Sequence, residues 1–337
     1  HLAALYQLNT SVLSMRRCTH RPAGWVLTLQ NESNQREESF DFVVVATGQF
    51  SDKNMVQHAG QEGFEVGGGQ VLHSSECADV ALFNNKNVLI LGGSKSATDI
   101  AVSAAKNAAK STTMLYRSNR WRSPYFIMGV NFKYLLYMRA QEAQFNRSGL
   151  KPLDKCIKAL TAPLVWASFR VLEWVLKTQL GLEKHGMLPT SKIEHDVNCA
   201  LPIVTPGFFE ALNDGSIKAI KSTVSHYERD GIVAFANGQK RRVDVVVQAV
   251  GWKLEQPFLP ESVRRTLIDA DGQYRLHHFS VHPDVEGLGF VGFNSSFCTV
   301  LCADLIAHWL VRYMDGQLKY QPKKTDMRHA IEQHLHW

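Results

Sequence analysis

The segment from Asn87 to Arg117 constrains the fold more than any other part of the sequence. It opens with the continuous apolar run Asn87–Leu91 and closes with a second β-type run, Thr112–Tyr116. Between these runs, apolar residues recur at spacings of three and four, which is typical of one face of a helix. A buried strand, a glycine turn, a helix and a second strand within about 30 residues form a parallel crossover unit. This pattern predicts an α/β fold built on a parallel sheet.

The turn after the first run has the composition of a phosphate-binding loop. Gly92 permits a tight turn, Gly93 lets the backbone approach a pyrophosphate, and Ala97 allows close packing of helix on strand. Ser94 stands where the fingerprint usually has its second glycine, so the strand–helix–strand context supports the assignment. The helix N-terminus adds free N–H groups and partial positive charge. The predicted Rossmann-like contacts are Gly92, Gly93, Ser94, Lys95, Ser96 and Ala97.

The residue at the end of the second run selects the cofactor. An NAD site usually carries Asp or Glu there, to hold the ribose 2′-hydroxyl, whereas this chain has Arg117. Arg117, with Arg120 and Arg122 nearby, favours a 2′-phosphate through charge-assisted hydrogen bonds, which predicts NADP. The alternative is a solvated basic turn.

One short pattern occurs twice in the chain. Asp41–Gly48 and Asp244–Gly251 are each an apolar, β-branched run that ends in glycine, with Asp, Ala and Gly in register. Both runs predict a buried parallel strand followed by a sharp turn. Thr47, Gly48 and Gly251 are therefore candidate cofactor contacts, although chance can also produce two such runs.

Composition and charge exclude some classes of protein. The net charge of +6 fits an anionic ligand or an acidic membrane surface, and no Lys/Arg block indicates a nucleic-acid-binding arm. The six cysteines form no repeating framework. The histidines at 277, 278 and 282 lack a matching Cys or carboxylate cluster, so we predict a solvent-facing loop and no metal site.

The segment Ile157–Leu180 is the longest apolar region. It contains Lys158, Arg170, Glu173 and Lys177, which predicts a helix lying on protein or on a membrane surface rather than spanning a bilayer. No signal-peptide pattern follows His1, so we expect a location in the cytoplasm or at the periphery of an intracellular membrane.

Taken together, the motifs resemble the flavin-containing monooxygenase family and its Baeyer–Villiger relatives. The resemblance is carried by the motifs Val43–Gly48, Gly69–Ser74, Gly92–Asp99, Tyr116–Trp121, Asp244–Trp252 with Pro257–Leu259, and Gly289–Phe293. It implies a flavoprotein fold with two dinucleotide-binding domains, binding FAD and NADPH. It also implies insertion of one oxygen atom into a small N-, S- or ketone-containing substrate through a flavin C4a-peroxide. His73 matches a histidine of the family fingerprint, and packing beneath a linker is its alternative role.

The resemblance also divides the chain. Residues 1–83 would be a remnant of the FAD-binding domain, because no glycine-rich loop precedes Gly48 and its N-terminal strand–helix–strand unit is missing. Residues 84–250 would be a complete NADP-binding domain with a helical insertion at about 124–189. Residues 251–337 would return to the FAD-binding domain. We therefore expect residues 1–337 alone to have impaired activity.

Other functions are compatible with the same sequence. One is a non-catalytic NADP-binding module, and another is a flavoprotein reductase without oxygenation, which a catalytic cysteine pair would favour. No residue is assigned as a catalytic acid, base or nucleophile. Asn294, Ser295 and Ser296 precede the last long predicted helix and either face the flavin or cap that helix.

Overall fold

The computed structural model describes residues 5–20, 24–32, 34–136, 152–199, 201–254, 256–294 and 299–335. The chain divides into two compact units. Unit 1 comprises His1–Lys53 and Trp252–Trp337, and unit 2 comprises Asn54–Gly251.

Runs of strands are separated by single helices or runs of helices along the described residues. The β-strands are β1 Thr10–Arg17, β2 Trp25–Asn31, β3 Asn34–Phe40, β4 Val43–Val45, β5 Asp52–Lys53, β6 Gln70–His73, β7 Asn87–Leu91, β8 Ser111–Tyr116, β9 Phe126–Ile127, β10 Val130–Asn131, β11 Ile217–Lys221, β12 Val224–Tyr227, β13 Ile232–Phe235, β14 Lys240–Arg242, β15 Val245–Gln248, β16 Trp252–Lys253, β17 Val281–His282 and β18 Val285–Phe290. The α-helices are α1 Gln61–Val66, α2 Lys95–Lys106, α3 Phe132–Leu136, α4 Pro152–Gln179, α5 Ile193–Cys199, α6 Phe208–Asn213, α7 Glu261–Leu267, α8 Thr299–Met314 and α9 Lys324–Leu335.

Unit 2 is built on a five-stranded sheet in the order β11-β8-β7-β15-β6, and every pairing in it is parallel. The central strands β7 and β15 are buried almost throughout, as their apolar runs predict. Leu89 and Leu91 of β7 belong to a core cluster that includes Val233 and Phe235 of the antiparallel sheet β12-β13-β14. Each fully buried aliphatic side chain contributes about 1.5–3 kcal/mol to folding. The predicted strand–helix–strand unit is therefore confirmed as β7, α2 and β8.

The division into units falls earlier than the sequence predicts. Strand β6 pairs with β15, so residues 54–83 belong to unit 2 and not to a domain that ends at residue 83. The local sequence around β6 does not indicate which strand β6 pairs with, because its partner, Val245–Gln248, lies far along the chain. The predicted second boundary, between residues 250 and 251, lies one residue from the observed break after Gly251.

Unit 1 contains the antiparallel sheet β1-β2-β3 and a second sheet, β17-β18-β4. Its core includes Trp25, Leu288 and Phe290, all almost completely buried. The polar stretch after β2 forms the strand β3, which pairs with β2, whereas Val43–Val45 pairs in parallel with β18. The two repeated runs are thus both parallel strands, β4 in unit 1 and β15 in unit 2. The predicted burial is confirmed for β15 but is wrong for β4, where Val44 is 42% exposed. Gly48 and Gly251 both follow with positive φ, at 75° and 95°.

The helical insertion expected at 124–189 begins with the short hairpin β9-β10 and continues into α3 and α4; residues 137–151 lie outside the described residues. By length and composition α4 could cross a membrane. Three of the charges that interrupt it, Arg170, Glu173 and Lys177, are paired with protein groups. Arg170 bonds Glu173 and Glu194, and Lys177 lies 2.5 Å from Glu183. Phe169 and Leu176 are buried, so the C-terminal half of α4 lies on protein.

Candidate functional site

A cavity of about 700 Å³ lies in unit 2 at the carboxyl ends of the parallel strands. Its lining includes the residues that follow β7, β8 and β15, such as Gly92, Arg117 and Gly251. The chain runs from β7 to β8 and β11 on one side of the sheet, whereas β15 and β6 lie on the other. The strand order therefore reverses between β7 and β15. Open α/β sheets bind their ligands in the crevice outside such a reversal.

The two glycines after β7 are required by close packing of the backbone. Gly92 has φ 138°, and a Cβ built on it would lie 2.4 Å from the carbonyl oxygen of Ala249, which follows β15. A Cβ on Gly93 would lie 2.9 Å from the carbonyl oxygen of Ser118. No other residue type fits either position without a shift of the backbone. Both glycines therefore lie against neighbouring backbone atoms, with no room for a side chain.

Helix α2 begins at the edge of this cavity. Ser94 is its N-cap and lines the cavity, but the Ser94 side chain makes no capping hydrogen bond. Lys95 also lines the cavity, and its Nζ contacts Asp99 and donates to Thr205 Oγ1 at 3.2 Å. Ser96 is exposed outside the cavity lining, and Ala97 is completely buried, as close packing of helix on strand requires. Of the six predicted loop residues, the structure brings Gly92, Gly93, Ser94 and Lys95 to the cavity.

The three arginines after β8 do not share one role. Arg117 and Arg120 are exposed and line the cavity. Arg122 is only 2% exposed and donates instead to Gly93 O and Thr98 Oγ1. Burial lowers the pKa of Arg122 to about 10, against the opposing effect of Asp99. The prediction that all three sit together at a 2′-phosphate is wrong for Arg122, whose side chain turns beneath the loop.

The segment that carries these arginines is anchored by residues 187–196, at and just after the end of the insertion. Asn119 Nδ2 donates to Met187 O, and the backbone N–H of Trp121 donates to the Asp196 carboxylate at 2.8 Å. Trp121 Nε1 donates to Ser191 O at 2.7 Å. The acceptors are far from residues 117–123 in sequence, and only the folded chain identifies them.

A second segment, residues 54–58, borders the cavity opposite the glycine turn. Gln248, completely buried at the end of β15, accepts from Val56 N at 2.7 Å and donates to Val56 O at 2.8 Å. Asn54, Val56 and His58 line the cavity, and burial lowers the pKa of His58. These residues were missed by the sequence analysis. A buried glutamine at the end of an otherwise apolar strand is the one signal that could have pointed to them.

His73 is completely buried, and the structure gives it a packing role. Ser75 N donates to its Nδ1 at 3.2 Å, so Nε2 carries the proton and donates to Gly251 O at 3.0 Å. Asn54 N also donates to Gly251 O, at 3.3 Å. His73 therefore holds the last residue of unit 2, which corresponds to the alternative role expected for it.

In unit 1, Thr47 Oγ1 donates to Oε1 of the buried Gln256 at 3.1 Å. Gly48 has no heavy atom within 4 Å of an added Cβ, so its positive φ is the only constraint on it. Asn294 is 5% exposed, and within the described part of the chain neither polar atom of its amide has a hydrogen-bond partner. The Ser295 and Ser296 of the sequence prediction lie outside the described residues.

The expectation of a solvent-facing histidine loop is wrong for His277. This ring is buried against His278 and Trp309, and burial lowers its pKa to about 4, with His278 adding to the effect. The hydrogen bond from Phe290 N to Ser280 O ties this loop to β18, which the local sequence does not reveal.

The fold and the cavity define a dinucleotide-binding α/β protein with two units. Residues 1–336 match the family model described as flavin-binding monooxygenase-like. A probable flavin-containing monooxygenase 1 of Arabidopsis thaliana is 29% identical over 307 residues, covering 85% of this chain and 57% of the relative. The chain thus spans little more than half the length of that relative.

Solved structures resemble the chain in fold. The crystal structure of OTEMO in complex with FAD and NADP has a TM-score of 0.65 at 18% identity and covers 97% of this chain and 71% of its own. The S-allyl-L-cysteine S-oxygenase of Allium sativum has a TM-score of 0.57 at 18% identity, covering 97% and 54%.

The chain belongs to the flavin-binding monooxygenase-like family. The resemblance stated from the sequence motifs is confirmed, and so is a fold similar to that of flavin monooxygenases with two dinucleotide-binding domains. The expectation of FAD and NADP as cofactors is confirmed at the level of the family.

Proposed function

We propose that the cavity of unit 2 binds NADPH, and that the protein is a monooxygenase that inserts one oxygen atom into a small N-, S- or ketone-containing substrate. The observation that carries this proposal is the position of Gly92, Gly93 and the N-terminus of α2 at the reversal of strand order. Oxygenation is proposed for the whole protein, since the chain covers 57% of its Arabidopsis relative.

The described residues fit a dinucleotide. The cavity volume lies within the range of about 300–1,000 Å³ that is usual for ligand pockets. The glycine turn leaves no side chain between the backbone and a pyrophosphate, and the first turn of α2 has its N–H groups available for anions. Lys95 adds a positive charge at the same end of the cavity.

The charges around the cavity favour NADPH over NADH. Arg117 and Arg120 follow β8, where the adenosine ribose lies in folds of this kind. Among the described residues that line the cavity, none is an Asp or Glu, the residue that would accept hydrogen bonds from a free 2′-hydroxyl. Two guanidinium groups can donate charge-assisted hydrogen bonds to a 2′-phosphate, and no carboxylate in this lining would repel it.

Unit 1 would contribute to the flavin site. Thr47, Gly48 and Asn294 are its candidate contacts. The buried amide of Asn294 has no partner among the residues that the structure describes, and a ligand could supply one. When bound, FAD would supply the oxygen-activating chemistry. The residues of this chain would hold the reductant, orient it and exclude water.

The test is the binding of NADP⁺ and NAD⁺ to residues 1–337, measured by calorimetry. In the Arg117→Ala variant we expect NADP⁺ to bind about 10- to 100-fold more weakly, since a charged hydrogen bond is worth about 1.5–3 kcal/mol. NAD⁺ affinity should stay within about threefold, because it has no 2′-phosphate. Arg242→Ala, in the exposed strand β14, is the matched control. Equal losses for both nucleotides with Arg117→Ala would contradict the proposed role of Arg117. A visible spectrum recorded after addition of FAD tests the flavin site separately.

A further inference from the structure

Arg122 is a buried cation that forms no salt bridge with the described residues, although the nearby Asp99 carboxylate partly offsets the effect of burial on its pKa. Its side chain donates to Gly93 O and, at 3.2 Å, to Thr98 Oγ1, and its Nε has no hydrogen-bond partner among the described residues. No carboxylate of the described residues forms a salt bridge with it, because Asp99 is paired with Lys95 instead. Burial disfavours the charged form of a side chain, and no salt bridge among the described residues offsets that effect for Arg122. This unfavourable burial calls for a compensating role.

The position of the guanidinium suggests that role. Its two hydrogen bonds end on the glycine turn and on the first turn of α2, and both elements border the cavity. Thr98 Oγ1 in turn donates to Lys95 O at 2.9 Å, so the arginine is connected to the start of the helix by two bonds. A positive charge at this point adds to the partial charge of the helix N-terminus, and it is screened little by salt because it is buried.

The bond to Gly93 O also fixes a peptide plane. In a planar trans peptide the C=O of one residue and the N–H of the next point in opposite directions. Because Arg122 holds the Gly93 carbonyl on the buried side, the N–H of Ser94 points the other way. Ser94 lines the cavity, and its N–H has no acceptor among the described residues. The N–H is therefore presented to a ligand.

We propose that Arg122 is the positioning residue of the diphosphate site: from beneath the loop it supplies the buried positive charge and holds the Gly93–Ser94 peptide with its N–H toward the pyrophosphate. This inference rests on the proposed binding of NADPH in the same cavity. It predicts that Arg122 affects NADP⁺ and NAD⁺ alike, because both carry the pyrophosphate. Arg117, by contrast, is expected to affect NADP⁺ alone.

The experiment compares residues 1–337 with the variants Arg122→Met and Arg122→Lys, using calorimetry with NADP⁺ and NAD⁺ and thermal unfolding without ligand. Arg242→Met, in the exposed strand β14, is the control for loss of one arginine. For Arg122→Met we expect the affinity for both nucleotides to fall by roughly tenfold or more, because the variant loses the buried positive charge beside the proposed diphosphate site. Arg242→Met should bind as the unmodified chain does.

The Arg122→Lys variant distinguishes a role of the positive charge from a role of side-chain packing alone. The lysine keeps the charge but lies in a site where burial lowers the pKa of an ammonium group. We expect its affinity, relative to the unmodified chain, to be close to normal at about pH 6.5 and to fall toward that of Arg122→Met by about pH 9. A packing role predicts no such dependence on pH. If Arg122→Met does not fold, this pH profile alone decides the question.

The outcomes distinguish the two proposals. If the unmodified chain binds neither nucleotide, the proposed function fails and this inference fails with it. If the unmodified chain binds NADP⁺ and folded Arg122→Met binds it equally well, only the role of Arg122 is overturned. Failure of Arg122→Lys to exceed Arg122→Met at pH 6.5 would also overturn that role. Weaker binding by Arg122→Met together with a pH-dependent rescue by lysine would support it.

Discussion

The glycine turn after β7 allows a quantitative test of why its first residue is glycine. In Gly92→Ala the new methyl group would lie 2.4 Å from Ala249 O and 3.0 Å from the carbonyl carbon of that residue. Both are backbone atoms of the segment after β15 and cannot rotate away. The residue also has φ 138°, which L-residues rarely adopt. The substitution therefore combines backbone strain with a steric clash.

Each of these effects costs about 1–3 kcal/mol, so we expect Gly92→Ala to lower the free energy of unfolding by about 2–6 kcal/mol. For a unit of this size, the melting temperature should fall by about 5–20 °C. Circular dichroism during heating and urea titration measures both quantities. NADP⁺ binding should be lost as well, because β7 and β15 must separate at the point where the cavity begins.

Two other glycines serve as controls, one with the backbone strain but no clash and one with neither. Gly238 has φ 81° but no heavy atom within 4 Å of an added Cβ, so Gly238→Ala should show strain alone, about 1–2 kcal/mol. Gly63 lies in helix α1 with open space around it, and Gly63→Ala should stabilise by about 0.5–1 kcal/mol. If Gly92→Ala is no more destabilising than Gly238→Ala, the argument from backbone contact is wrong.

Two further predictions concern buried polar groups. The lowered pKa of His277 means that, as the pH falls from about 6.5 to about 4, the unfolded chain gains a proton that the folded chain does not. The free energy of unfolding should therefore fall through this range. Between pH 7.5 and pH 5, urea unfolding should show a fall that is smaller by about 1–2 kcal/mol in His277→Phe than in the unmodified chain. Equal falls in the two proteins would refute this prediction. Gln248→Leu removes both hydrogen bonds to Val56. Amide hydrogen exchange across residues 54–58 should therefore accelerate at least tenfold, which corresponds to a decrease of about 1.4 kcal/mol in the free energy of local opening. Unchanged exchange there would show that the segment is held by other contacts.

The strand–turn–helix–strand unit could be derived from the sequence because its information is local. The apolar run of β7, the double glycine and the helical spacing of small residues lie within one continuous segment, and each depends on neighbours a few residues away. The same holds for Arg117, whose place after β8 follows from the end of the strand. Both repeated runs were also identified as parallel strands before their partners were known.

What only the tertiary structure decided concerns residues distant in the chain. The sequence analysis grouped Arg122 with Arg117, yet burial turns it beneath the loop, where it bonds Gly93. It assigned residues 54–83 to the wrong unit, because the partner of β6 is a late strand. It also gave no sign that Gln248 holds Val56. Hydrogen-bond partners and burial are set by packing between distant segments, and no local spacing records them. The sequence by itself therefore determined the glycine turn between β7 and α2, and the packing of the chain determined which residues hold that turn in place.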